Sequence, residues 1–471
     1  MNVKSVKVRR HACVLLSLFT VVLLFAAWQH VSAETLELTL DEAIALGLSN
    51  STTIKSKLIA VDSSRAGVKA AKSGYYPGIS ASANWIHYFE QSRSPAVSFQ
   101  VGTETLITPA AYVFAQDPVT VNFDLTQPIY TFGRIKHGVK LATEDLYLAK
   151  MDLSEEERSL IVEIKRAFYS YLLAEEFVSV QEETLTQRED TLKVAQERYE
   201  AGLVPDFEVL SAESDMENFK PEVISALNQV ELALLAVKEL LNITETEDYE
   251  VALVGELNPV YFDFERQSLV DDAIGNNYDL KQYRSSINFA LYQESLKKDE
   301  KKPFIGSFAN YKLNSTFNTT TGANDYTNWD DILSVGVNVS VPLSALIPYS
   351  REYAEQSRAS LDLAELRTNL GNIESSIKIG IDGILLKINE EEAKIKSSEK
   401  AVELASRLYD SASERFAHGL ITRIELKEAE IRLNSARVGY LNSVFNYMNA
   451  LFDLMDIVGV YEFDVDTRRS S

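Results

Sequence analysis

Two stretches of this sequence hold a helical pattern far longer than a globular domain accommodates. From about Gly133 to Glu200, some 68 residues pass without a proline. At about 1.5 Å per residue that spans roughly 100 Å, several times an average globular helix. Ile164, Tyr171, Val178, Leu185, Leu192 and Tyr199 recur every seven residues, and a second stretch keeps that register with Ile381, Ile388, Ile395, Val402, Tyr409 and Phe416. Sustained heptads of this kind make coiled-coil seams.

Each stretch ends in the same turn. Arg198-Tyr199-Glu200-Ala201-Gly202-Leu203, followed by Glu208 and Val209, returns as Arg415-Phe416-Ala417-His418-Gly419-Leu420, followed by Glu425 and Leu426, at a constant offset of 217. Glycine supplies the left-handed residue that ends a helix, and Pro205 and Thr422 sit where the next helix begins. Behind each turn the heptads resume: Val209, Met216, Val223, Val230 and Val237 match Leu426, Leu433, Tyr440, Tyr447 and Leu454. Each turn is therefore a hairpin tip, and the two copies make an internal repeat. Pro221, where the second copy has Val438, predicts a kink in the helix running from Asp206 to Ile243.

Upstream of each long helix the period changes. Helices are expected from Leu40 and over Thr52–Ser73, with Thr39 and Glu42 as a capping box; the second half opens similarly at Asp271 and runs to Pro303. After Pro77 and Pro303, 226 residues apart, the period falls from about 3.6 to 2. Ile79, Ala81, Ala83 and Trp85 alternate with small polar residues, as do Val119, Val121, Phe123 and Leu125, and Val335, Val337, Val339 and Val341; Ile305 to Leu313 alternates less cleanly. Four strands follow, about 78–90, 119–128, 304–317 and 333–342, arranged as two hairpins. The alternation fits an antiparallel sheet on a soluble core. It also fits transmembrane strands of about 9–11 residues whose polar face lines water. Four strands cannot close a barrel, because the smallest common ones have about 8, so a barrel requires several chains.

Lys4, Lys7, Arg9 and Arg10 followed by the apolar run Ala12–Ala27 and Val31-Ser32-Ala33 read as a signal peptide over residues 1–33. The alternative is an uncleaved anchor. The only cysteine, Cys13, lies in this segment, in a context unlike that of a lipid-attachment site, so a mature chain has no thiol and no lipid anchor. Losing four basic residues takes the net charge from −23 to −27, which argues against nucleic-acid binding. His87, His137 and His418 are isolated in sequence, no phosphate loop or nucleophile elbow is present, and no metal, cofactor or catalytic residue is expected.

The twin tips, the duplicated helix–strand–strand–helix order, the signal peptide and the Pro-preceded strands together resemble the TolC-like outer-membrane efflux family, over about Leu38 to Gly459. The resemblance implies an α+β membrane protein: a first structural repeat over 34–243 with its tip at 198–208, a linker over 244–266 and a second repeat over 267–459 with its tip at 415–428. A loosely ordered tail over 460–471 completes the chain. It implies a homotrimer, with a 12-stranded barrel in outer-membrane lipid and a 12-helix tunnel through the periplasm. A periplasmic adaptor and an inner-membrane transporter dock on it, and substrates pass passively out of the cell by efflux or secretion. Acidic side chains six and nine residues past the second tip glycine constrict the aperture in that family. They correspond to Glu425 and Glu428, and the first copy offers Glu208 but has Ser211 at the ninth place. Adaptor-contacting tips and hinges are carried over onto Arg198, Tyr199, Gly202, Leu203, Arg415, Phe416, Gly419 and Leu420. The tip departs from the family where a tethering aromatic hydroxyl and an arginine are expected: Phe416 and Ile421 stand there, with Arg423 nearby. The bland reading of the acids is solvated helix-start residues favoured by the helix dipole. A structural coiled-coil protein and a diffusion porin are the competing readings of the whole.

Overall fold

The structure is a computed structural model, and it describes residues 34–87, 89, 93–108, 111–112, 118–243, 249–315 and 329–463. The signal segment, Cys13, the loop after the third strand and residues 464–471 of the tail lie outside the described residues. The chain divides into two compact units, one of Met1–Ile54, Glu156–Ala273 and Ile379–Ser471, the other of Lys55–Glu155 and Ile274–Lys378. Each unit draws on both sequence halves.

In chain order, strand β1 (Glu34–Leu38) precedes helices α1 (Leu40–Asn50) and α2 (Thr52–Ser73) and strand β2 (Gly78–Trp85). The short strands β3 (Arg93–Ser94), β4 (Val97–Val101), β5 (Glu104–Thr108) and β6 (Ala111–Tyr112) lead to β7 (Val119–Tyr130) and the long helix α3 (Arg134–Glu200). After the first tip come α4 (Asp206–Glu217), α5 (Lys220–Leu240) and β8 (Tyr249–Leu253). The second half holds α6 (Arg266–Asn276), α7 (Tyr278–Glu300), β9 (Phe304–Ser315), β10 (Trp329–Ser340), α8 (Arg351–Ala417) and α9 (Arg423–Val458). Both long helices, α3 and α8, are 67 residues.

The second unit contains the sheet. Its order is β10-β9-β7-β2, antiparallel throughout, so the two hairpins join through β7 and β9 and leave β2 and β10 as edges. The register puts Ile79, Leu125, Ala309 and Val335 on one face. The other face carries Ser80, Asp124, Asn310 and Ser334, with Asn310 Nδ2 donating to Asp124 Oδ1 at 2.6 Å. At the loop end of the apolar face Trp85 and Trp329 occupy the same level on the two edge strands. The expected strand limits shift: β2 stops at Trp85, and β10 starts at Trp329, before the alternating valines, because Trp329–Ile332 still find partners on β9. A register shift at Pro128/Tyr130 marks the place where proline has no N–H to give the ladder. The connection after β2, read only as a loop, contains two further ladders, β3–β6 and β4–β5.

The turn from β7 into α3 is left-handed at both Phe132 (φ 51°) and Gly133 (φ 105°). Glycine is required at the second place, since a Cβ there would stand 2.5 Å from Asp299 Oδ2. Asp299 is buried and accepts from Lys302 Nζ at 2.8 Å and pairs with His137 Nδ1 at 2.6 Å.

In the first unit most of the heptad residues are buried, while Val178, Leu185 and Leu192 are half-buried and Tyr199 is exposed. Ile164, Ile381, Val237 and Leu454 are fully buried, and Ile395, Leu433 and Tyr447 nearly so. Apolar burial at about 25 cal/mol per Å² is what holds such long helices together, since a solitary helix is marginal in water. α1 starts at Thr39 with the expected capping box. At the predicted kink the helical ladder is interrupted: α4 ends at Glu217, Asn218 and Phe219 keep right-handed helical backbone angles, and Pro221 lies in the first turn of α5. The segment read as a plain linker carries β8, which pairs in parallel with β1 from Glu34↔Tyr249 to Leu38↔Leu253. The start of the tail is anchored: Lys165 Nζ donates to the Tyr461 carbonyl at 3.0 Å, and the Phe463 ring packs edge-on to Phe262 and Phe264.

Candidate functional site: the paired helix tips

Both tips lie in the first unit and are built alike. Gly202 (φ 72°) and Gly419 (φ 71°) are left-handed. Leu203 N donates to the Arg198 carbonyl at 2.8 Å and Gly202 N to that of Tyr199 at 2.8 Å; Leu420 and Gly419 repeat this with Arg415 and Phe416 at 2.9 Å each. This is the Schellman ending, which satisfies the last helical carbonyls and requires the glycine.

The starts of the outgoing helices differ. Pro205 at the first tip makes no side-chain cap. At the second, Thr422 and Glu425 form a reciprocal capping box: Glu425 Oε2 accepts from Thr422 N at 2.7 Å and from its Oγ1 at 2.9 Å. These bonds hold the Glu425 carboxyl below the usual glutamate range. Glu425 is thus turned onto its own helix start. Glu428 is exposed and lines, with Arg415, Arg432 and Leu408, a groove of about 260 Å³ between α8 and α9. Glu208 lies 3.6 Å from Arg423 Nε.

Three groups of contacts bring the tips together. Arg198 from the end of α3 lies against the second turn, donating through Nη1 to the Phe416 carbonyl at 3.2 Å with its guanidinium 5.5 Å from the Phe416 ring centroid. Arg198 Nη2 approaches so closely that a Cβ on Gly419 would meet it at 2.8 Å. Arg423 at the start of α9 reaches α4, where it bonds Asp215 and donates to Ser211 Oγ at 2.6 Å. Lys427 Nζ adds a bond to Asp215 Oδ1 at 2.8 Å. Further along, Arg188 of α3 pairs with Glu430 of α9 at 2.8 Å, donates to the Asp215 carbonyl at 3.0 Å and lies 4.0 Å over the Phe219 ring.

Three cations therefore meet three carboxylates, Glu208, Asp215 and Glu430. Burial pushes Asp215 up, but Lys427, Arg423 and Arg188 outweigh it and its carboxyl sits below the ordinary aspartate value. Glu430 goes the other way, because its burial outweighs the short bond from Arg188 and holds its carboxyl above the usual range. Phe416 and Ile421 serve packing. Phe416 is 5% exposed in a cluster with Tyr409, Ala412, Leu426, Ala429 and Leu433, and Ile421 packs against it. Tyr199, Leu203 and Leu420 stay exposed.

The sequence reading named Arg423 and Glu208 but missed Asp215, Arg188, Lys427 and Glu430. One signal was available. At the 217-residue offset, Asp206 corresponds to Arg423 and Asp215 to Arg432. The copies thus reverse charge at two places, which is what two tips that pair with each other require.

An outer membrane efflux protein family model matches residues 43–242. The fold of the chain is that of the Campylobacter jejuni CmeC outer membrane channel, with a TM-score of 0.70 at 16% identity over 89% of this chain and 85% of that one. It is likewise that of the outer membrane protein VceC from Vibrio cholerae (TM-score 0.69, 18% identity, 90% and 97% covered). The Neisseria gonorrhoeae MtrE outer membrane channel also matches, in its open state (0.68, 16%, 89% and 89%). Residues 43–242, somewhat under half of the chain, thus resemble the outer membrane efflux protein family, and about nine-tenths of the chain shares the fold of outer membrane channels. No curated protein matches its sequence. Efflux proteins of this family are transport proteins and not enzymes. Among the described residues no helix is long and apolar enough to cross a membrane.

Proposed function

We propose that this chain is one third of an outer-membrane efflux conduit, a homotrimer that passively passes substrates delivered by an inner-membrane transporter and a periplasmic adaptor. The observation that carries the reading is the four-stranded sheet with two free edges and two unlike faces. One sheet of this kind leaves its edge N–H and C=O groups unpaired, which no hydrocarbon environment tolerates. Three copies joined β10 to β2 give 12 strands and no edge. The apolar face with its Trp85 and Trp329 level then meets lipid and headgroups, and the face bearing Asp124 and Asn310 lines water. The three strands of 12 residues, at about 3.4 Å each and tilted about 45°, span close to 29 Å, which suits a bilayer core.

On this reading the chain holds two structural repeats, 34–243 and 267–459, and the 67-residue helices form the periplasmic tunnel. The tips form its mouth. Exposed Leu203, Leu420, Phe207 and Ile424 give an adaptor apolar purchase. Of the three candidate gate acids, Glu428 is the one left to face the axis, since Glu425 is engaged in its cap and Glu208 leans to Arg423. The Arg423–Asp215 and Arg188–Glu430 contacts hold the two hairpins of a protomer together, and their release widens the mouth.

The mature chain has no cysteine of its own, so introduced pairs report without background. A cysteine at Ala83 on β2 combined with one at Val335, Val337 or Val339 on β10 tests the seam. Oxidation is expected to yield covalent trimers for the pair in register. Monomers in every combination, from a water-soluble protein, would point instead to a structural coiled-coil protein.

A further inference from the structure

At the foot of the sheet, in the second unit, a cavity of about 450 Å³ opens between the end of β7, the start of α3 and the end of α7. We propose that it binds the headgroup and upper acyl chain of an anionic phospholipid of the periplasmic leaflet. The proposal rests on the reading that the strands cross the outer membrane.

The walls are aromatic: Tyr75, Tyr130 and Phe132 line it, with Tyr130 and Phe132 edge to face at 4.5 Å. Tyr75 is 51% exposed and Tyr130 56% exposed. Tyr130 ends β7 and Phe132 follows it, so the apolar side of the cavity is continuous with the strand that enters it. Aromatic rings with one polar end seat at the level of lipid headgroups.

The floor is basic. Lys136, His137 and Lys302 line the cavity, against a single carboxylate, Asp299. Asp299 is shared by Lys302 and His137, and Lys136 is exposed and makes no ion pair among the described residues. Lys136 and Lys302 less Asp299 leave one net positive charge, the histidine aside. No acid occurs from Ser63 to Phe89 or from Leu125 to Thr143, and on the third lining segment Glu300, beside Asp299, is paired with Lys297 at 3.0 Å. In a chain whose net charge is −23, that is a local reversal of sign at the level where the strands end. Charge complementarity selects an anion, and the exposed aromatic wall selects one that carries an acyl chain.

The test uses the full-length protein in lipid nanodiscs of phosphatidylcholine doped with spin-labelled phosphatidylglycerol or spin-labelled phosphatidylcholine. Preferential immobilisation of the phosphatidylglycerol label is expected, by about fivefold for one net charge at the surface. Lys136→Gln should bring the ratio close to one and Lys136→Glu below it, while Lys193→Gln on the tip end of α3 leaves it unchanged. Tyr130→Ala should weaken immobilisation of both labels. Equal immobilisation in the unaltered protein, or a preference indifferent to Lys136, overturns the proposal. So does displacement of the label by excess inorganic phosphate, which would mean a phosphate site without a lipid. Failure of the protein to enter the nanodisc at all overturns the membrane reading itself, and is read separately from the label ratio.

Discussion

The two tip glycines have nearly the same backbone angles but different surroundings, and that difference is measurable. Gly202 has open space where a Cβ would go, whereas at Gly419 the Arg198 guanidinium fills it. Gly202→Ala should cost about 1–2 kcal/mol, the strain of a left-handed alanine. Gly419→Ala should cost that and the Arg198 hydrogen bond, about 3 kcal/mol in all. Thermal unfolding of the detergent-solubilised protein reads both, and in an Arg198→Ala background the two costs should converge. Equal costs in the unaltered background would mean that Arg198 does not lock the second tip. At this scale the glycines were legible in the sequence, because Arg-aromatic-x-x-Gly-Leu occurs twice at one offset. The partner of Arg198 was not, since the Phe416 carbonyl lies 218 residues away and a carbonyl has no sequence signature.

Among the elements, the break between α4 and α5 shows the limit of reading a proline. Pro221 was visible, and a kink is what an interior proline does. The helix ends at Glu217 because Pro221 has no N–H to give that carbonyl, and the interruption holds Phe219, which is 8% exposed and lies under Arg188. Phe219→Ala should therefore cost about 3 kcal/mol in unfolding, while Pro221→Ala should change stability by less than about 1 kcal/mol. If Pro221→Ala is the more damaging of the two, the buried ring contributes less to stability than the proline. The strands were legible from their period, with ends misjudged by a few residues where Trp329–Ile332 pair despite weak alternation. The β1–β8 pair was not legible. Its two strands are five residues each and separated by more than two hundred in sequence, so neither shows a period long enough to read.

For the whole molecule, the tip network is an asymmetric device built on a symmetric repeat. The first copy supplies Asp215, Ser211 and Arg188, and the second supplies Arg423, Lys427 and Glu430. Where relatives of the family are expected to use an aromatic hydroxyl and an arginine, this chain packs Phe416 and Ile421 in an apolar cluster. The contacts between the two tips run through Arg423 and its partners on α4. The candidate gate was accordingly only half legible. Counting from Gly419 located Glu425 and Glu428, but not that Glu425 is engaged by Thr422 while Glu428 stays exposed. Single-channel recording in planar bilayers tests the conduit most directly. The unaltered protein should give a small, cation-selective conductance that rises in Arg423→Ala and loses cation preference in Glu428→Ala, with Glu425→Ala affecting it less. A protein that forms no channel, or a wide and unselective conductance indifferent to Arg423 and Glu428, would contradict it.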